Sequence, residues 1–362
     1  MLKTVFRHLV CLLGLHIVST CITAAQRLPA APPEPQRLYT NTLTPIEKPL
    51  PLLADHPEFV QPVRETRRFA APPLVDDEAA DLHVRAWRFS YNARGIIEMP
   101  NRLRAKHTAV IVVHPWGIDD GQGWTTLQPA GVADFCTVEK NKLAGRHTRE
   151  VIDPFLQRLR AHVALVMYSL RSRQHDVHKR LYRSIYRNPS RAERAEAQKE
   201  LAQILSSFKY EGRSLRTAFK LSSETPVRDY FRAFPGLDAG PEFNNAGFWQ
   251  LPIPVTRDIT MHRDDFIYYD ADGYDLLKDF LKQHGVRHIL LTGYATDMCF
   301  CQTTAGYENL SQDFNVFLVG DATLATFPAN KTPQYATNAH ISFASLSQLI
   351  TQETWVQYSP RN

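Results

Sequence analysis

The stretch Gly293-Tyr294-Ala295-Thr296-Asp297-Met298-Cys299 has the residue types and spacing for nucleophilic chemistry. The apolar run His288–Thr292 before it reads as a buried strand, and Asp297–Leu310 after it as a helix. Cys299 then lies at a strand–turn–helix junction. A helix N-terminus carries partial positive charge, which stabilises a thiolate and lowers its pKa. Backbone N–H groups of the turn Tyr294, Ala295, Thr296 can receive a developing oxyanion. A cysteine placed so is a candidate nucleophile. The plainer reading makes Cys299 a small buried apolar residue, as free cysteines commonly are.

A nucleophile of this kind needs strands that end beside it, because open α/β sheets bind ligands beyond their carboxyl ends. Thr108–His114 is a continuous β-branched run, expected for a strand covered on both faces, and it ends in an imidazole. Val163–Tyr168, Asp258–Met261 and Val316–Val319 read as further strands of one parallel sheet. Helices are expected over Thr148–Leu159, over Gly273–His284 with Gly285 as its cap, and over Tyr335–Ile350. Thr354–Tyr358 closes the sheet. Strands alternating with helices mean an α/β fold.

These features resemble the isochorismatase-like cysteine hydrolases. Val286–Phe300 carries the strand and the Gly-x-x-Thr-(Asp/Asn)-x-Cys turn, followed by Thr303 four residues after the Cys. Asn315–Val319 supplies the next strand and Asp321-Ala322 the Asp-Ala pair, while Thr332-Pro333 and His340 fit the tail. The resemblance covers roughly 106–170 and 245–357. It implies a three-layer α/β/α sandwich with a mainly parallel sheet. It also implies hydrolysis of an amide (C–N) or ether bond in a small molecule without a cofactor. The alternative is a catalytically inactive relative that binds a small ligand or a protein partner. The family triad is Cys, an Asp ending the first strand, and a Lys. A cis peptide, here Tyr294–Ala295, aims the oxyanion-hole N–H.

Two triad positions differ. The first strand ends in His114 instead of Asp, and Thr260 or Met261 stands where the Lys is expected. A Cys299–His114 pair is one substitute, since imidazole is a competent base near neutral pH. A cationic His262 or Arg263 would then replace the Lys. Asp119 or Asp120, folded back, is a second source of a carboxylate. The third reading is a site without turnover. Trp116, Trp124 and Phe135 are candidate aromatic walls of a pocket. Arg171, at the end of the second strand, is a candidate carboxylate clamp, and Phe266 a candidate substrate contact. His175 and His178 have suggestive spacing but the wrong offset from their strand, so no metal is expected.

The rest of the chain bounds these readings. It has 362 residues, 44% apolar and 22% charged, with a net charge of +5. That charge is too small to suggest a nucleic-acid partner. A small molecule is the expected partner, and a homo-oligomer is allowed. Lys3 and Arg7 precede the apolar run Leu9–Val18 and small residues to Ala25, the pattern of a secretory signal. The chain is therefore expected to be secreted or periplasmic, with membrane attachment only if Cys21 is lipidated. Without Cys11 and Cys21 three cysteines remain, so export leaves at least one thiol free. Residues 26–80 read as a leader, since 11 of the 24 prolines fall in 29–73. Removal of residues 1–73 is expected to leave the melting temperature almost unchanged. An appended hairpin over 81–105, the main domain over 106–358 and an Arg-rich helical insertion over 171–240 complete the reading.

Overall fold

A computed structural model describes residues 36–115, 138–171, 173–207, 220–233, 251–325 and 348–360. Met1–Tyr39 forms one compact unit, whose described residues 36–39 carry no secondary structure. Thr40–Asn362 forms the other and holds every described strand and helix.

The described strands are, in chain order, β1 (Thr44–Pro45), β2 (Arg68–Ala70), β3 (Leu82–Ser90), β4 (Gly95–Leu103), β5 (Thr108–Val113) and β6 (Leu165–Leu170). β7 (Phe266–Tyr269), β8 (His288–Tyr294), β9 (Asn315–Leu324), β10 (Leu349–Thr351) and β11 (Val356–Tyr358) follow. The helices are α1 (Val138–His147), α2 (Asp153–Leu159), α3 (Asp176–Leu181), α4 (Arg191–Ser207), α5 (Pro226–Ala233), α6 (Tyr274–Gln283), α7 (Cys299–Gln302) and α8 (Tyr307–Leu310). A π-helical turn, Thr148–Ile152, joins α1 to α2.

The centre of the sheet runs β10-β9-β8-β5-β6-β7, every neighbour parallel. β5, β6, β7 and β8 are buried along their whole length, which explains their unbroken apolar runs. Counted from β5, the order is 3-2-1-4-5-6, the doubly wound arrangement. Right-handed crossovers put α1 and α2 on one face and α6, α7 and α8 on the other. That is a three-layer α/β/α sandwich. The order reverses between β5 and β8, so a crevice opens there at the carboxyl ends.

The hairpin β3–β4 continues this sheet, because β3 pairs antiparallel with β10 and β11. Buried Glu98 on β4 pairs with Arg68 on β2 and with Arg85 on β3, which fixes that corner. β11 does not close the sheet: it joins antiparallel beside the interior strand β3, the edges being β1 and β7, and Thr354 and Trp355 belong to a 3-10 turn.

Four further expectations need correction. Asp258–Met261 is not a strand; the third parallel strand is β7. The earlier segment bonds its backbone to side chains instead: Asp258 N donates to Thr256 Oγ1 and Thr260 N to Asp153 Oδ1. The helix over Asp297–Leu310 breaks into α7 and α8, where Thr303 turns extended and Gly306 packs against the Cys301 carbonyl. Leu349 and Ile350 belong to a strand, while 335–347 lie outside the described residues. The leader is not a loose appendage: Leu52, Leu53, Phe59 and Val60 are fully buried in the main core. Its prolines limit regular structure to the short strands β1 and β2 but leave the apolar residues between them free to pack. The insertion does hold helices, α3 to α5, with Ala197, Leu201 and Leu205 buried. No helix among the described residues is long and apolar enough to cross a membrane.

Candidate active site

Four carboxyl ends converge at the crevice. β5 delivers His114, β6 Ser169 and Arg171, β7 Asp270, and β8 the turn that leads to Cys299. His114 leaves β5 with φ +46 and is 2% exposed. Its Nε2–H donates to Asp270 Oδ2 at 2.9 Å. The neutral imidazole then carries its lone pair on Nδ1.

Asp270 is the hub. Its other oxygen accepts from Ser169 Oγ at 3.3 Å, and the Thr303 hydroxyl also bonds its carboxylate. Burial opposes ionisation, yet these bonds and the His114 ring hold the carboxyl below its usual range. Thr304 Oγ1 donates to the Asp270 carbonyl at 2.8 Å. The residues just after α7 are thus tied to the residue that orients His114.

β8 approaches β5 closely at its end. A Cβ on Gly293 would lie 2.2 Å from the Val113 carbonyl oxygen, and Gly293 has φ +100, so only glycine fits. The Tyr294–Ala295 peptide is cis. Met298 N and Phe300 N both donate to the Ala295 carbonyl, at 2.9 and 3.1 Å. Cys299 opens the single-turn α7, half-buried, and its carbonyl accepts from Thr303 N at 3.1 Å. Cys301 differs. Its Sγ donates to the Thr296 carbonyl at 3.5 Å, and burial pushes its thiol up to about 11.

Several sequence-derived candidates lie elsewhere. His262 precedes β7 and so sits at the amino end of the parallel sheet, opposite the crevice. It is exposed and faces Asp264 at 3.3 Å. Arg263, also exposed, lies 3.7 Å from the same carboxylate. Phe266 is the first residue of β7, under the Arg183 guanidinium and against Phe280 and His284. None of the three reaches the crevice. Thr260 and Met261 precede the strand as well, so neither stands at the Lys place. Thr296 N donates to the Leu324 carbonyl at 3.0 Å, which withdraws that N–H from an oxyanion role. Arg171 follows the last residue of β6, half-buried. Trp116, Asp119, Asp120, Trp124, Phe135 and Cys136 lie outside the described residues. Among the described residues no group of three or more His, Cys, Asp or Glu is placed to hold a metal.

Asp270 went unread in the sequence. Its signal is the run Phe266-Ile267-Tyr268-Tyr269 ending in an acid just before Gly273. The β-branched residues of Asp258–Met261 concealed it. With β7 in place, the first strand ends in a potential cation and the third in a carboxylate. The resemblance expects an acid where His114 stands.

Residues 265–351 match the Isochorismatase domain model. Two solved structures are similar: an isochorismatase family protein from Desulfovibrio vulgaris subsp. vulgaris str. Hildenborough and one from Burkholderia thailandensis. The first is 14% identical over 68% of this chain and 95% of its own, with a TM-score of 0.34. The second is 15% identical over 69% and 94%, with a TM-score of 0.28. No curated protein matches the chain.

Proposed function

This chain carries an isochorismatase-like domain, a hydrolase-type fold, and from that premise we propose a cysteine hydrolase with a Cys299–His114–Asp270 triad. The observation that carries the reading is the His114 Nε2–Asp270 Oδ2 bond of 2.9 Å at the carboxyl ends of β5 and β7. A carboxylate that accepts the imidazole N–H fixes the tautomer and stabilises the imidazolium formed during turnover. The Asp270 bonds to Thr303 and Thr304 bring the end of α7 into the same frame.

The reaction proceeds on a small-molecule amide. His114 Nδ1 takes the Cys299 thiol proton, and the thiolate forms a C–S bond to the carbonyl carbon. The C–N bond breaks, and the amine leaves with the proton from the imidazolium. A thioester remains on Cys299. His114 then takes a proton from water, whose oxygen attacks the thioester. The acid departs, and the proton returns to the sulfur.

The test uses p-nitrophenyl acetate, an activated acyl donor, with mass mapping of the acetyl group. The expected result is an acetyl adduct on Cys299 in the wild type. It forms at least about tenfold more slowly in His114→Ala, within the range a general base contributes. An adduct that forms equally fast in His114→Ala, or none on Cys299, overturns the triad. A site that binds ligands without turnover gives the second outcome.

A further inference from the structure

Tyr294 joins the turn before Cys299 to three other parts of the molecule. Its hydroxyl lies 2.7 Å from His147 Nδ1 and 2.7 Å from Thr148 Oγ1. His147 Nε2 lies 2.7 Å from the Asp321 carbonyl oxygen. A carbonyl only accepts, so Nε2 bears the proton and Nδ1 the lone pair. The Tyr294 hydroxyl therefore donates to His147 Nδ1. Thr148 Oγ1 lies 2.8 Å from the Ala144 carbonyl oxygen, its own acceptor. The Tyr294 hydroxyl also reaches the Ala144 carbonyl oxygen at 3.1 Å, so its one proton is shared between that carbonyl and His147 Nδ1, and each side chain of the network is buried.

The pair His147–Thr148 sits where α1 passes into the π-helical turn, a local widening of the helix that commonly marks functional sites. Burial lowers the His147 pKa to about 3, so the ring stays neutral and the tautomer holds across the working range. The other side of the His147 ring is covered by the leader. Phe59 stands edge-on to it, 5.1 Å between centroids and 67° between planes. The Arg146 guanidinium lies over the Phe59 ring at 4.7 Å. A second leader residue reaches the same neighbourhood: His56 Nε2 is 3.5 Å from Glu353, whose backbone N–H bonds Asp321.

We infer that Tyr294 and Phe59 are positioning residues for the Cys299 thiol, with His147 as the link, so that the leader is part of the active-site support. The inference rests on the reading of Cys299 as the nucleophile. The leader presses Phe59 on the His147 ring. The ring holds the Tyr294 hydroxyl, and Tyr294 starts the turn whose Ala295 carbonyl accepts from Met298 and Phe300, the two neighbours of Cys299. Loosening either end lets the thiol move relative to His114, and small misplacements of reacting groups are costly.

The experiment follows iodoacetamide labelling of Cys299 in the full chain from pH 5 to 10, with peptide mapping. Tyr294→Phe should slow labelling near pH 7 by about tenfold, the worth of one buried hydrogen bond. Its pH profile should move towards that of a free thiol, near ~8.5. Phe59→Ala should act in the same direction. Met99→Ala, in a separate small cluster with Ala71 and Ile97, should lower the melting temperature and leave the profile in place. If Tyr294→Phe does not fold, Thr148→Val removes the neighbouring hydroxyl and reads the same effect. A wild-type profile in Tyr294→Phe, or an equal shift in Met99→Ala, overturns the inference while the nucleophile stands. Wild-type Cys299 that labels no faster than a free thiol overturns both.

Discussion

Asp321 accepts the backbone N–H of Glu353 on both of its carboxyl oxygens, at 2.9 and 3.2 Å, with no exposure to solvent. Burial and the neighbouring Glu353 carboxylate raise the Asp321 pKa to about 7. Hydrogen bonds from His56 and Arg158 overcome the burial of Glu353 and keep it ionised, so the pair holds one proton and one charge near neutrality. The folded-state pKa lies above the unfolded value. The native chain therefore binds more protons than the unfolded chain between about pH 4 and 7. Stability from this group is full below that window and is lost as pH rises through it. Asp321→Asn keeps one acceptor and cannot ionise. It should raise the melting temperature by a few degrees at pH 8 and much less at pH 4. Calorimetry at the two pH values checks this, and an equal effect at both would contradict it.

His178 acts with the opposite sign. Burial depresses its pKa to about 3, so the folded chain binds fewer protons than the unfolded chain between pH 3 and 6.5. Its contribution is present above 6.5 and is lost as pH falls. The ring packs among Tyr182 and Tyr269, a setting that suits a phenyl group. His178→Phe should therefore compare better with the wild type at pH 5 than at pH 7.5, measured by the same calorimetry. An unchanged difference would mean that the ring is charged in the fold.

The leader holds the core through residues that its prolines conceal. Leu53 is fully buried, and its backbone N–H donates to Gln352 Oε1 at 2.9 Å. Leu53→Ala should cost about 2–5 kcal/mol, as other buried leucines do. Denaturant unfolding reads this directly. A cost within the range of surface substitutions, about 0.5 kcal/mol, would return the leader to the status of an appendage.

The central strands and the Cys299 turn were legible because both faces of the sheet are covered. Thr108–Val113 and His288–Thr292 carry that burial as unbroken apolar runs. The strand before α6 was not legible. Its four residues, Phe-Ile-Tyr-Tyr, are too few to outweigh the β-branched segment upstream, which spends its hydrogen bonds on Thr256 and Asp153. That single misplacement hid Asp270 and promoted His262 and Phe266, which belong to the other end of the sheet. The leader failed for a different reason. Proline content disfavours ladders without excluding the short β1 and β2, and it says nothing about burial of the side chains between them.

The last prediction exploits the contact of the His114–Asp270 pair. His114 ends β5 and Asp270 follows β7, whereas the resemblance puts an acid where His114 stands and its lysine at Thr260 or Met261, before β7. If the crevice needs one acid and one cation in contact, and either strand end can supply either, the pair should tolerate exchange. His114→Asp alone sets two carboxylates side by side, and Asp270→Lys alone sets a lysine against an imidazole. Each removes a partner from a buried group and should be strongly unfavourable. Both singles should slow iodoacetamide labelling of Cys299 by tenfold or more, about the loss of one charge-assisted bond. The double variant again places an acid and a base in contact across the same two strand ends and should recover much of the lost rate. The coupling between the substitutions, read as a double-mutant cycle, is then large and favourable. Additive losses in the double variant would show that the imidazole itself is required and that a carboxylate at position 114 cannot stand in for it.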